Sequence, residues 1–372
     1  MKSRSFRLML VLMSIAVVTA CAAPAAAPAP TATSAAAPQP AGFSVADAMG
    51  RTVTFDQAPQ RIAVVGQAVI MLADAVYMFP NVSPRIVALS KTNQGLGDFI
   101  AAMDPTYKDK AILEVQTGVE PVAATKPDAV ILKTAMADKL GKPLEELGLK
   151  VIYLDLETPD KFKSDVATLG KVFQDEARAK QVTAFYQERV DRITKAVADT
   201  KEDQKPRVLL LYYNDRDGQV AFNVAPMSYI QTFMVQAGGG RVAWKDAQLG
   251  QGWTKVNLEQ IAAWDADQIY IVAYNKNSSD IVKQLKADPQ WQALRATRQN
   301  KLYAFPADYY SWDQADSRWI LGFMWLAAKM HPDRFSGLDM EKEIKAFYSE
   351  MYKLDDAAYQ KYIKPVLKGD LP

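Results

Sequence analysis

The sequence predicts an α/β protein made of two Rossmann-like three-layer lobes with mainly parallel sheets, joined by one long rigid inter-lobe helix. Three observations predict this. A pattern occurs twice: Glu120-Pro121-Val122-Ala123-Ala124-Thr125-Lys126-Pro127-Asp128-Ala129-Val130 is echoed by Glu259-Gln260-Ile261-Ala262-Ala263-Trp264-Asp265-Ala266-Asp267-Gln268-Ile269. Both fit Glu-x-(Val/Ile)-Ala-Ala-x-x-x-Asp-x-(Val/Ile), a short helix opened by an acid and running into a buried strand. Short apolar runs alternate with helical stretches, the pattern of a parallel sheet covered by helices. Between the two copies lies an extended region of helical periodicity. One long offset marks a duplication; a solenoid would show several short periods.

The first residues read as an export signal over 1–20. Lys2, Arg4 and Arg7 precede the apolar run Leu8–Val18, too short to span a bilayer comfortably. Val18-Thr19-Ala20-Cys21 looks like a bacterial lipobox, in which cleavage precedes a cysteine whose thiol carries a diacylglycerol. Cys21 is the single cysteine and so has no disulfide partner. Acyl chains contribute about 0.8 kcal/mol per buried methylene, so a lipidated Cys21 would hold the protein at a membrane surface. Residues 21–41 then form an Ala/Pro-rich tether that cannot bury a core.

Residues 42–160 form the expected first lobe. It opens with a hairpin, Gly42–Gln57, turning at Met49-Gly50-Arg51, with Thr52–Phe55 as a strand. Arg61–Val65, Arg85–Leu89, Asp128–Leu132 and Lys150–Leu154 are apolar enough for buried strands, and Val69–Tyr77 is a helix. Ser90–Gly97 is a polar, glycine-containing loop. Residues 161–202 form a helical linker: Phe162, Val166, Leu169, Val172 and Phe173 recur at helical spacing, as do Phe185, Ile193 and Val197 after a break near Gly170–Asp175. The second of these helices, from about Glu176 to Thr200, is about 35 Å long at 1.5 Å per residue, a strut between lobes. Residues 203–372 form the second lobe, with strands at Arg207–Tyr212, Gln219–Asn223, Gln268–Ala273 and Lys301–Phe305. Trp319, Phe323 and Trp325 recur at helical spacing and belong to its core.

Composition narrows the function. Loss of Lys2, Arg4 and Arg7 with the leader turns a formal charge of +2 into about −1. No basic tract or basic-aromatic interleaving is present, which excludes nucleic acid as a partner. With one histidine, His331, and one cysteine, a zinc or copper site built from His and Cys is nearly excluded. His331 ends a helical run in Met-His-Pro and reads as structural. There is no Gly-x-Ser-x-Gly elbow, Walker loop or zinc pair to suggest an extracytoplasmic enzyme. Asp215 and Asp217 sit in an Asn-Asp-Arg-Asp-Gly run that reads as a turn. An adhesion or structural lipoprotein is a further alternative to a binding lipoprotein, and it would have no small-molecule cleft.

Several segments together resemble the bacterial ABC-transporter solute-binding proteins for iron-siderophores, haem and vitamin B12, in lipoprotein form. They are Asp47–Val53 continuing to Pro59–Val64; Glu120 through Lys126-Pro127-Asp128-Ala129-Val130-Ile131; Leu169-Gly170-Lys171-Val172-Phe173 with Phe185-Tyr186; and Trp291–Leu294, Lys301–Phe305 and Trp325–Pro332. The resemblance runs from about residue 43 to the end and rests on the order of these segments. It implies an extracytoplasmic, lipid-anchored monomer that traps a ligand between its lobes, serves an ABC permease dimer with its ATPase, and needs no cofactor of its own. It also implies that one acid per lobe, Glu120 and Glu259, docks on basic residues of the permease. A carboxylate at either position would equally favour the positive end of its own helix.

Ligands of parallel α/β sheets meet the loops at the carboxyl ends of the strands. In the first lobe those loops carry Gln67, Lys91, Asn93, Gln94, Lys133 and Thr134. In the second they carry Tyr213, Asn214, Arg216, Trp253, Lys255, Tyr274, Asn275, Lys276, Tyr310 and Trp312, with Arg318 just inside the following helix. Flat aromatic surface suits a large amphipathic ligand, and the cations would neutralise an anionic chelate. An intact ferric siderophore brings its own iron ligands and is the expected ligand. A corrinoid is equally compatible. Haem wants an axial His, Tyr or Met, for which Tyr310 is a candidate, and a small oxyanion such as molybdate would need several convergent donors.

Overall fold

The computed structural model describes residues 42–216, 218–250 and 252–371, leaving out the side chain of Arg216. The expected signal, Cys21 and the whole of the tether lie outside the described residues. Two antiparallel strands, β1 (Phe43–Ala46) and β2 (Thr52–Phe55), form the opening hairpin. Arg51 fixes it to the first sheet: its guanidinium holds Asp47 at 2.7 Å and donates to the Val151 carbonyl at 2.8 Å.

The first sheet contains β3 (Ile62–Val64), β4 (Ile86–Ser90), β5 (Ala111–Leu113), β6 (Ala129–Lys133) and β7 (Val151–Leu154). All four neighbouring pairs are parallel, in the order β5-β4-β3-β6-β7. The strands are apolar and the central ones fully buried, as expected of a sheet covered on both faces. The connections carry α1 (Val69–Tyr77), α2 (Phe99–Met103), α3 (Val119–Ala124) and α4 (Lys142–Glu146).

The helical linker is two helices, α5 (Pro159–Phe173) and α6 (Glu176–Val197). Thr158 caps α5 and Pro159 opens it; Gln174 ends it in the left-handed region, and the Asp175 carboxylate at once caps α6 by accepting from the Arg178 amide at 2.9 Å. The break therefore falls at Gln174–Asp175, and Gly170 stays inside α5. The strut touches both halves of the chain. Arg178 is buried and donates to the carbonyls of Met78 in the first half and of Glu350 and Met351 near the end. The Tyr186 hydroxyl donates to the Ser317 carbonyl at 2.5 Å.

The second sheet contains β8 (Arg207–Arg216), β9 (Gln219–Val224), β10 (Arg241–Val242), β11 (Thr254–Val256), β12 (Gln268–Ala273) and β13 (Leu302–Ala304). Its order is β11-β9-β8-β12-β13, with β10 beside the start of β8. The expected parallel pairing holds for β8 with β10 and β12 and for β12 with β13. β8 and β9 form an antiparallel hairpin paired from Tyr212 to Arg216, and β11 is antiparallel to β9, so this sheet is mixed. Around it lie α7 (Ile230–Ala237), α8 (Leu258–Ala263), α9 (Ser278–Ala287), α10 (Pro289–Gln292), α11 (Arg295–Arg298), α12 (Trp319–Met330) and α13 (Met340–Tyr352). Trp319, Phe323 and Trp325 are core, as their spacing implies. His331 is buried at the end of α12, with Nε2 3.1 Å from the Gly239 carbonyl oxygen, and burial lowers its pKa. Among the described residues no helix is long and apolar enough to cross a membrane.

Candidate functional site

The carboxyl ends of the two sheets supply the site. On the second sheet, Tyr212 and Tyr274 project from neighbouring strand ends onto the same face and stack with ring centroids 4.3 Å apart. Trp253, just before β11, lies 5.1 Å from Tyr212 and 6.3 Å from Tyr274, and Tyr229 completes the group at 6.3 Å from Trp253. Trp253 and Tyr229 keep part of their surface open. Lys255 is exposed on β11 and shares this face, because it pairs with Asn223 and Asn223 pairs with Tyr212. The opposite face of the hairpin holds Tyr213 against Phe222, which in turn packs on Trp291 at 4.8 Å.

A polar network below the cluster sets the orientation of Tyr274. Its hydroxyl donates to the fully buried Asp313 carboxylate at 3.0 Å; Gln231 Nε2 and the Ser311 hydroxyl donate to the same carboxylate at 3.1 and 2.6 Å. Burial, and then the negative Asp313, push the Tyr274 hydroxyl well above the usual tyrosine range. Tyr274 is therefore a neutral donor.

On the first sheet, Lys133 at the end of β6 is buried and committed. Its ammonium donates to Glu157 at 2.6 Å and to the Asp155 carbonyl. Glu157 follows β7, so this ion pair lies at the carboxyl edge of the first sheet. Gln67 and Asn93 are exposed on their loops, and Lys91 is exposed and paired with Glu114. Lys276 is exposed and paired with Asp215.

The two edges meet directly through the loop after β4. The Gly95 amide donates to the Tyr274 carbonyl at 2.7 Å and the Leu96 amide to the Tyr309 carbonyl at 2.8 Å. Gly95 has φ +97, and a Cβ there would stand 2.5 Å from the Tyr309 carbonyl oxygen and from the Tyr310 ring. Gly95→Ala should therefore cost about 1–3 kcal/mol in a thermal or urea melt, through the left-handed backbone and lost cross-contact. An unchanged melt would mean that the loop does not hold this position in solution.

Three residues expected to line the cleft are elsewhere. Tyr310, Trp312 and Arg318 are buried and offer almost nothing to solvent. The Trp312 indole donates to Asp308 at 3.0 Å, and the Tyr310 hydroxyl accepts from the Phe99 amide at 3.3 Å. Arg318 is the hub of a buried charge cluster that joins the halves: its guanidinium reaches Asp74 on α1, Asp308 at 2.7 Å and Asp316 at 3.6 Å. The rings of Phe99 and Tyr310 lie 4.6 and 5.0 Å from the same guanidinium. Local sequence carried no sign of this, because Asp74 is 244 positions from Arg318. Arg216 closes β8, but its side chain lies outside the described part. Sequence reasoning passed over Tyr212, Tyr229 and Glu157; the alternation along β8 puts Tyr212, not Tyr213, on the aromatic face.

Glu120 and Glu259 are exposed, each the second residue of a short helix, α3 and α8. Neither carboxylate has an ion pair or hydrogen-bond partner among the described residues. Each of these helices follows a strand, β5 or β11, that runs toward the carboxyl edge of its sheet, so both acids stand on the side where the edges meet. A hollow of about 590 Å³ lined by Lys205, Arg207, Arg241 and Lys245 lies at the other end of β8. Among the described residues no group of three or more His, Cys, Asp or Glu could hold a metal ion.

Two α/β halves braced by a helix, with aromatic and charged side chains gathered at the carboxyl edges of their sheets, are the frame of this chain. The family model described as "Periplasmic binding protein" matches residues 62–309. The chain belongs to that family. Among curated relatives, a molybdate-binding protein, MolA, of Haemophilus influenzae is 22% identical over 84% of this chain and 93% of its own length. A cobalamin-binding protein of Halobacterium salinarum is 27% identical over 60% of this chain and 56% of its own. A solved periplasmic solute-binding protein from Veillonella parvula superposes with TM-score 0.68 at 22% identity, covering 87% of this chain and 97% of that one.

Proposed function

We propose that this protein is the extracytoplasmic, lipid-anchored receptor of an ABC importer, and that it captures an iron chelate of the ferric siderophore type between the carboxyl edges of its two sheets. The observation that carries the reading is the cluster of Tyr212, Tyr229, Trp253 and Tyr274, an aromatic wall at the carboxyl edge of the second sheet in which Tyr212 and Tyr274 stack and Trp253 and Tyr229 pack tilted or edge-on. Such a surface suits a bulky ligand that supplies its own metal coordination. The protein then needs no cofactor and performs no catalysis; it acts as a monomer anchored through Cys21. The same wall suits a corrinoid, and the Halobacterium salinarum relative carries that name. A small oxyanion is served less well, since the buried donors Gln231, Ser311 and Tyr274 already converge on Asp313.

The test is the visible spectrum of freshly purified protein and tryptophan-fluorescence titration with ferric chelates, cyanocobalamin, haem and molybdate. Saturable quenching by a ferric chelate supports the proposal; a response to molybdate alone refutes it. Glu120 and Glu259 are proposed to dock on basic residues of the permease, because two exposed, unpartnered carboxylates on one side set register and speed encounter. The Glu120→Ala/Glu259→Ala protein should keep its ligand affinity while uptake in cells falls by about tenfold or more. Loss of ligand binding instead would refute the docking role.

A further inference from the structure

The cations at the carboxyl edges are already compensated by the protein's own carboxylates. Lys91 is paired with Glu114, Lys133 with Glu157, Lys276 with Asp215, and Lys161 with Asp155 at 2.8 Å. Arg318 is enclosed by three aspartates. Of the cations read from the sequence as partners for an anion, and among the described side chains, Lys255 is the exposed one without a carboxylate partner.

The charge pattern matters because of what binding an anion would require. A multiply charged anion must either break these pairs or approach carboxylates held within hydrogen-bond distance of each cation. Glu157 is the severe case, because it holds the buried Lys133 at 2.6 Å while its own carboxylate stays partly open at the carboxyl edge. Lys133 cannot swing away to meet a ligand, since its ammonium is also bound to the Asp155 carbonyl and its side chain is buried. Aromatic surface with one exposed, unpaired lysine recognises apolar bulk and at most a small negative charge. Like-charge juxtaposition then excludes the rest.

Resting on the chelate reading given above, we infer that the site selects for low ligand charge: it takes near-neutral metal chelates and rejects highly anionic ones. A ferric trihydroxamate complex is the matching chemistry; a ferric tris-catecholate, with three negative charges, is the mismatched one.

The test uses the full-length protein and three probes: a ferric trihydroxamate, a ferric tris-catecholate and sodium molybdate, titrated at low and high sodium chloride. The trihydroxamate should bind at least about 30-fold more tightly than the tris-catecholate, with an affinity that changes less than about threefold with salt, because no large charge is being screened. The Glu157→Gln/Asp215→Asn protein leaves the charges of Lys133 and Lys276 uncompensated in place, and should narrow the gap by about tenfold while making tris-catecholate binding steeply salt-dependent. Tighter binding of the tris-catecholate to the unmutated protein would overturn this inference and leave the chelate reading standing. Failure of both chelates, with or without molybdate binding, would overturn both. An unchanged gap in the double variant would show that these pairs do not set the preference and would also overturn the inference.

Discussion

Replacing Arg318 with leucine should lower the unfolding free energy at neutral pH by about 3–5 kcal/mol, the usual cost of leaving buried charge unpaired. The side chain is fully buried, and so are Asp74, Asp308 and Asp316 around it. Without the guanidinium, three carboxylates would share a dry site with neutral donors alone: the Trp312 indole, the Tyr348 hydroxyl and the Tyr310 amide on Asp308, and the residue-318 amide on Asp316. The loss should shrink as pH falls, because protonation relieves the repulsion. Asp74 is already pushed up to about 6, by burial first, with Arg318 pulling the other way; burial likewise raises Asp316 well above the usual range. Urea titrations of both proteins at pH 7.5 and 5 measure this. A variant within about 1 kcal/mol of the parent, the resolution of the extrapolation, would show that the cluster does not weld the halves together.

Mild acid should stabilise the unmutated protein. Asp165 is buried, accepts from the Asp155 and Leu156 amides at 2.7 and 2.8 Å, and is still raised to about 6 because burial outweighs those bonds. A carboxyl raised from 3.8 binds its proton more tightly in the folded state. Its contribution is fully present below the unfolded value and is lost as pH rises through about 6. A shift of that size amounts to roughly 3 kcal/mol. Asp104 has the opposite sign. Burial alone would raise it, but hydrogen bonds from Tyr77, Ser83 and Thr106 hold it at about 2, so its contribution is lost as pH falls toward that value. The lowered pKa of His331 also penalises acid, because the unfolded chain takes up that proton more readily. Stability should therefore peak between about pH 4 and 5. In Asp165→Asn the gain between pH 7.5 and 4.5 should drop by about 2 kcal/mol relative to the parent. Equal slopes in the two proteins would count against this assignment.

What the sequence made legible was local. The helix Val69–Tyr77 and the strand Gln268–Ala273 end where their apolar pattern ends. The repeated acid-helix-strand unit was visible as text, and both copies fold as such, which is why Glu120 and Glu259 could be singled out. The direction of β9 was not visible: Gln219–Val224 has the alternation of a strand, but alternation does not say whether its neighbour runs with it or against it. Side-chain commitment was hidden for a different reason. Lys133 meets Glu157 24 positions on, Lys276 meets Asp215 61 positions back, and Arg318 meets Asp74 across most of the chain. Nothing local distinguishes a lysine that will meet a ligand from one that will meet a distant carboxylate. Tyr310 and Trp312 misled similarly, since an aromatic-rich loop reads the same whether it faces solvent or folds inward.

The junction between Gly95–Leu96 and the carbonyls of Tyr274 and Tyr309 is made by backbone atoms alone. Natural variation could therefore rewrite Asn93 and Leu96 almost freely without dissolving the junction, provided a glycine stays at 95. Mutational drift in that stretch would alter the chemistry shown to an incoming solute at little cost to the fold. On the capture site proposed above, this loop is a natural place to acquire a new cargo, and a practical one for randomisation by protein engineers.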